Sequence, residues 1–286
     1  MPKVNKIIFM GSPTFAIPSL IQCHQHFKNE LVAVMSQPDA KKGRGLKQSP
    51  TPVKEWALSQ NYPVHTPSNA NDCHDIISKI DPDLIIVAAY GMFIPASITE
   101  RYYCLNIHPS LLPKYRGASP IQSCLLNLET ETGLTLMKVS QKMDAGDLLY
   151  QEPVPIHSND NALSLSSKLA ALSATRLIEF IKDRYIPDQF QELPQIESQA
   201  TFCHKLNRED REIQVHEPTE KTLGKIKAFS PKPGAFIMKN KTLIKILDAE
   251  INEENQLVPT QVQPEGKSAM SYHDYCLGHP EGIQLC

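Results

Sequence analysis

The chain has 286 residues, of which 41% are hydrophobic and 21% charged. That length and balance suit two globular domains with real cores and exclude a disordered or fibrous polypeptide. A formal net charge of -2 excludes a polycation, so any contact with nucleic acid has to come from local basic patches.

Lys6 to Met10 (K-I-I-F-M) is a short apolar run ending at Gly11-Ser12-Pro13. It reads as a buried strand that turns into a helix over Phe15 to Phe27. Leu31 to Ser36 is a second strand. Gln37 to Pro50, rich in Gly, Lys and Pro and without periodicity, reads as a loop. Thr51 to Asn61 is helical in pattern, Val64 begins a short strand, and Cys73 to Ile80 is a helix. Leu84 to Ala89 (L-I-I-V-A-A) is a buried strand, Ile94 to Tyr102 a helix and Cys104 to His108 a strand. A helix over Pro120 to Leu128, strands near Gly133 to Val139 and Leu148 to Ile156, and an amphipathic helix over Asn161 to Lys182 follow. This alternation implies an α/β fold, a mostly parallel, Rossmann-like sheet with helices on both faces. Ligands of such sheets sit beyond the carboxyl ends of the strands, where Ala89-Tyr90-Gly91 and Asn106-Ile107-His108-Pro109 lie.

Asp188 to Gln199 is polar around Pro194 and reads as a linker. Beyond it, Ala235 to Met238 and Thr242 to Leu247 are short runs broken by Pro and Gly, which suits a small β-rich domain. Ile251 to Glu265 is polar and Pro-broken, so that domain reads as shortened. The expected division is a first domain over 1–187, a linker over 188–200 and a second domain over 201–286.

The seven cysteines are odd in number and scattered, and none pair as C-x-x-C. Reduced thiols in a cytosol are expected rather than disulfides or zinc. No apolar run fits a signal peptide or the ~20 residues of a membrane span. The turn Gly11-Ser12-Pro13 lacks the glycine pattern that lets a dinucleotide pyrophosphate approach the backbone, which sets a nicotinamide oxidoreductase aside.

Asn106 and His108 are two residues apart in a strand, so both side chains point to one face and Ile107 to the other. The Asn106 amide can donate to a developing oxyanion, and His108 can move a proton or carry positive charge near neutral pH. In the turn Met143-Asp144-Ala145-Gly146-Asp147, a carboxylate near the imidazole could orient it. Asp144 and Asp147 both qualify. Ser110 to Gly117 is an irregular loop suited to wall a flat ligand.

The string N-I-H-P-S-L-L-P-K-Y-R-G (Asn106 to Gly117), followed by M-D-A-G-D, resembles the hallmark of the folate-dependent formyltransferase family. The resemblance implies that Asn106, His108 and Asp144 are catalytic and that Asp147 is structural. It implies a formyltransferase domain followed by a small, shortened, OB-like β-barrel. The implied donor is 10-formyltetrahydrofolate, lined by Ala89, Tyr90, Gly91, Ser110, Leu111, Leu112 and Pro113, with no metal needed. I-I-F-M-G-S-P-T-F-A, S-Q-P-D-A-K-K-G-R-G-L-K-Q-S-P-T-P-V-K, I-K-A-F-S-P-K-P-G-A-F and G-K-S-A-M-S further resemble the branch that formylates methionyl-initiator tRNA. By that resemblance Lys41, Lys42, Arg44 and Lys47 meet the acceptor end. Lys225, Lys227 and Lys232, within a stretch of lysines from Lys221 to Lys245 that holds no acidic residue, meet the RNA backbone. A monomer in the cytoplasm is the matching expectation. The alternatives are a formyltransferase of a nucleotide-linked amino sugar, which needs neither basic stretch, and a silent RNA- or folate-binding relative.

Overall fold

The computed structural model describes residues 4–42, 47–186, 188–214, 216–254 and 256–285. The strands in chain order are β1 Ile7–Gly11, β2 Leu31–Met35, β3 Ala40–Lys42, β4 Lys47–Ser49, β5 Val64–His65, β6 Leu84–Ala88, β7 Cys104–His108, β8 Arg116–Gly117, β9 Glu131–Lys138, β10 Leu148–Pro155, β11 Phe202–Cys203, β12 Ala235–Lys239, β13 Thr242–Ile251, β14 Leu257–Pro264 and β15 Met270–Ser271. The helices are α1 Ile17–His26, α2 Pro52–Ser59, α3 Ala70–Ile80, α4 Ala96–Thr99, α5 Pro120–Leu126, α6 Ala162–Phe180, α7 Thr219–Phe229 and α8 Tyr272–Gly278.

The chain folds as two compact units. One gathers Met1–Arg116, Gly133–Val154 and Ser167–Phe202; the other gathers Gly117–Thr132, Pro155–Ser166 and Cys203–Cys286.

A seven-stranded sheet runs in the order β10-β9-β7-β6-β1-β2-β5. The pairs β6/β1, β1/β2, β2/β5 and β7/β6 are parallel, and β7/β9 is antiparallel. β1 and β6 are buried along their whole length, which explains their unbroken apolar runs: helices cover both faces, so no alternation is needed. Strand order reverses at β1, so the carboxyl ends of β1, β6 and β7 form the crevice where a ligand is expected. The helices between strands begin with ordinary caps; the Thr51 hydroxyl accepts from Lys54 N, with Pro52 at the first helical position.

The described residues between 37 and 50 are not all irregular, contrary to what composition implied. β3 and β4 pair antiparallel as a hairpin, Ala40 with Ser49 and Lys41 with Gln48, and Lys54 clamps its base to Asp39 at 2.7 Å. The segment 188–200 belongs to the first unit: Leu193 and Leu148 exchange both backbone hydrogen bonds, and Glu192 takes the Lys138 ammonium at 2.9 Å.

In the second unit α5 lies close on α7. A Cβ at Gly224 would come within 2.5 Å of the Leu126 carbonyl, so only glycine permits that approach. Its sheet is four-stranded and antiparallel, in the order β12-β13-β14-β15. β14 occupies the stretch that read as polar and Pro-broken. Leu257, Pro259 and Val262 face inward, and Pro259 pairs with Ala249 where β13 is bulged, a place in a ladder that tolerates a missing N–H.

Candidate active site

β7 sets Ile107 in the core, while Asn106 and His108 share the opposite face. His108 is 4% exposed. Its Nε2 lies 2.9 Å from the Tyr115 carbonyl oxygen. A carbonyl only accepts, so Nε2 carries a proton and donates it there, leaving Nδ1 as the working nitrogen. Nδ1 lies 3.7 Å from Asp144 Oδ2, beyond a hydrogen bond but within ion-pairing reach whenever the ring is protonated. Of the two candidate carboxylates, Asp144 therefore reaches the imidazole. Asp147 instead lines a cavity of 340 Å³ with Lys138, Gln141 and Gly146. Among the described residues the half-buried Asn106 carboxamide has no hydrogen-bond partner, so it is open to an incoming oxygen.

Backbone conformation aims these groups. Ala89, Tyr115 and Asp144 have φ of +47°, +61° and +49°. Left-handed backbone in such residues is disfavoured by about 1–2 kcal/mol each.

The Ser110–Pro113 loop is pinned from beneath. Thr135 Oγ1 donates to the Ser110 carbonyl at 2.6 Å and accepts from Leu112 N at 3.2 Å. Gln151 Nε2 donates to the Leu112 carbonyl at 2.7 Å and to Thr135 Oγ1 at 3.0 Å. Ser110 and Leu112 point inward and brace the loop, while Leu111 and Pro113 keep partly open faces. Thr135 and Gln151 escaped the sequence reading. The one available signal was a lone hydroxyl in the apolar run G-L-T-L-M, and Thr135 is wholly buried.

At the end of β6 the side chains alternate. Ala89, Gly91 and Phe93 are exposed, whereas Tyr90 turns into the core beside Cys73 and Ile85. The expectation of Tyr90 as a lining side chain is corrected accordingly. Burial pushes its phenol well up, and its backbone carbonyl accepts the Ser12 hydroxyl at 2.9 Å. Phe93, in the loop that follows β6, is 69% exposed, an apolar surface that sequence reasoning did not single out.

The formyl transferase family profile matches residues 5–181, and the profile of the formyl transferase C-terminal domain matches 205–259. The methionyl-tRNA formyltransferase of Latilactobacillus sakei is 34% identical over 304 aligned residues, covering 96% of this chain and 95% of that protein. That of Kosmotoga olearia is 40% identical over 250 residues, 86% of this chain and 80% of the relative. The chain belongs to the methionyl-tRNA formyltransferase family. Among solved structures, a methionyl-tRNA formyltransferase from Clostridium thermocellum superposes with a TM-score of 0.64 at 17% identity, covering 91% of this chain and 98% of that one. The sugar 3N-formyl transferase WlaRD gives 0.66 at 20% identity over 88% of each chain. Likeness at that identity establishes the shared fold.

The basic residues of this formyltransferase divide by environment. Lys225 is 8% exposed. Its ammonium donates to both Glu217 carboxylate oxygens at 2.7 and 2.9 Å and to the Glu212 carbonyl at 2.6 Å. It is thus an internal ion pair of the second unit, which corrects its expected place on an RNA-facing stripe. Lys227 is half-buried and caps the Ser158 carbonyl at 2.7 Å, while Lys232 is exposed. Lys41 is exposed on the β3–β4 hairpin. Arg44 and the side chains of Lys42 and Lys47 lie outside the described residues. Among the described residues no group of three or more His, Cys, Asp or Glu could hold a metal, and no helix is long and apolar enough to cross a membrane.

Proposed function

We propose that the protein transfers the formyl group of 10-formyltetrahydrofolate to the α-amino group of methionyl-initiator tRNA, in the cytoplasm and as a monomer. The observation that carries this reading is His108 set against Asp144 beside an uncommitted Asn106 amide at a strand end. The family relationship supplies the substrates.

The folate supplies an activated formyl carbon, to which the amine nitrogen bonds as the carbon–nitrogen bond to the folate breaks; the proton lost by the amine is balanced by the one that the departing folate nitrogen takes up. The pinned Ser110–Pro113 loop, with Ala89, Gly91 and Phe93, would hold the folate ring. Asn106 donates its amide to the formyl oxygen as negative charge develops there, the point at which a preset donor counts most. His108 acts through Nδ1. Protonated, it donates to that oxygen; neutral, it accepts the proton of the amine. Asp144, 3.7 Å from Nδ1, orients the ring. No step assigns a role to a metal. Lys41, Lys42, Arg44 and Lys47, with Lys227 and Lys232, would meet phosphates of the tRNA.

The test offers labelled 10-formyltetrahydrofolate to the purified protein with either methionine-charged initiator tRNA or an amino-sugar nucleotide. Formylation of the charged tRNA is expected. Activity on the sugar alone would overturn the acceptor assignment. His108→Ala should lower kcat by at least about 100-fold, the usual contribution of a positioned proton-transfer group. Unchanged turnover would end the reading of His108 as catalytic.

A further inference from the structure

We propose that Gln195 is a positioning residue for the transfer reaction, fixing Asp144 against His108 from the segment that leads out of the first unit. Its amide spans two loops. Gln195 Nε2 donates to the Asp144 carbonyl at 2.8 Å and to the Gly146 carbonyl at 2.7 Å. Gln195 Oε1 accepts from Arg116 Nε at 3.0 Å. Arg116 is 2% exposed, and its position is fixed further by Glu197 at 2.9 Å.

The two loops hold opposite sides of one imidazole. Arg116 directly follows Tyr115, whose carbonyl takes the Nε2 proton of His108. The other loop is the Asp144–Gly146 turn, whose carboxylate faces Nδ1. Thr201 reinforces the first loop: its hydroxyl accepts from Tyr115 N at 2.8 Å and its carbonyl from Arg116 N at 2.9 Å. The relay Arg116–Gln195–Asp144 therefore fixes the separation of the carboxylate from the ring. Asp144 sits in left-handed backbone, where a turn tends to relax without such support. Gln195 does both jobs because one carboxamide offers two donors and an acceptor at once.

This inference rests on the formyl-transfer reading, which the wild-type assay tests separately: if wild type turns over charged tRNA, the variants below test Gln195 alone. Gln195→Met keeps the length of the side chain and removes donors and acceptor. Gln195→Glu keeps an acceptor for Arg116 and removes the donors to the turn. Both are assayed with 10-formyltetrahydrofolate and charged initiator tRNA, with rates referred to folded protein by circular dichroism. A positioning role predicts kcat down at least tenfold in both, with KM for each substrate within about threefold, the split expected when only the transition state loses support. Gln195→Asn, which keeps the same chemistry one methylene shorter, should recover part of the loss. A kcat per folded molecule equal to wild type in either variant overturns the proposal. So does a rise in both KM values that matches the fall in kcat/KM, because that marks general distortion of the binding surface. Should Gln195→Met fail to fold, Gln195→Glu alone decides by the same criteria.

Discussion

Lys225→Met separates an internal ion pair from an RNA contact. The substitution removes the two bonds to Glu217 and the one to Glu212. It leaves a carboxylate that is 7% exposed with Lys221 as its remaining cation, at 3.0 Å and largely in water. Breaking one side of a buried pair costs about 3–5 kcal/mol. An exposed lysine partner contributes at most about 1 kcal/mol, so the low end, about 3 kcal/mol, is expected. That corresponds to roughly a hundredfold shift in the folding equilibrium of the second unit. The sole tryptophan, Trp56, lies in the first unit and does not report on this event. Hydrogen exchange of peptides covering Thr219–Phe229 does, and should accelerate by about that factor. Lys225→Met/Glu217→Gln should recover most of the loss, because no bare charge remains inside. The salt dependence of tRNA binding should keep its slope. Unchanged exchange together with a slope reduced by about one would refute the internal pairing and restore Lys225 as a phosphate contact.

Thr135→Val removes the hydroxyl that holds the Ser110–Leu112 backbone at nearly constant volume, at a cost of about 1–3 kcal/mol for the stranded groups. KM for the folate should rise about tenfold, and an unchanged value would show that the loop is held by other means. A methyl at Gly146 would lie 1.9 Å from the Lys138 carbonyl, so Gly146→Ala should move the Asp144 turn and abolish turnover; normal activity would contradict the placement of that turn. Glu152 is held below the ordinary carboxylate range by the hydrogen bonds and charge of Arg176, with burial opposing them. Its stabilisation is complete above the unfolded value of about 4.3 and is lost as pH falls through the lower folded value. Chemical denaturation from pH 6 downward should therefore show Glu152→Gln with a flatter acid limb than wild type, and identical limbs would remove the pair from the account.

Much of the first unit was legible because its strands are buried on both faces. Cys104–His108 was expected and found with the same ends, since Pro109 closes it and the run before it is apolar. The β3–β4 hairpin was not, because K-K and K-Q-S have neither alternation nor apolar content; backbone pairing alone makes them strands. β14 was hidden by its two prolines, and only the bulge in its partner makes room for one of them. Asn106 and His108 were legible from strand spacing. The preference for Asp144 over Asp147 needed coordinates or a resemblance, because two carboxylates in one turn differ only in where the turn faces. Gln195 left no trace in a polar, Pro-containing segment. Its partners stand 51 and 79 residues away, and no local pattern encodes them. Lys225 was misjudged because counting charge along a stretch of sequence does not show which cation turns inward to a glutamate, here Glu217 just before α7.

The course of residues 192–202 also decides where the chain can be divided. A fragment cut at the Pro-rich boundary near residue 187 would keep every side chain that touches the reacting groups. It would nonetheless lose the partners of Arg116, Tyr115 and Lys138, along with the strand-like pairing of Leu193. Any catalytic piece therefore has to run at least to Phe202, and screens or crystallisation trials on shorter pieces would be sampling a protein with its last stitch undone.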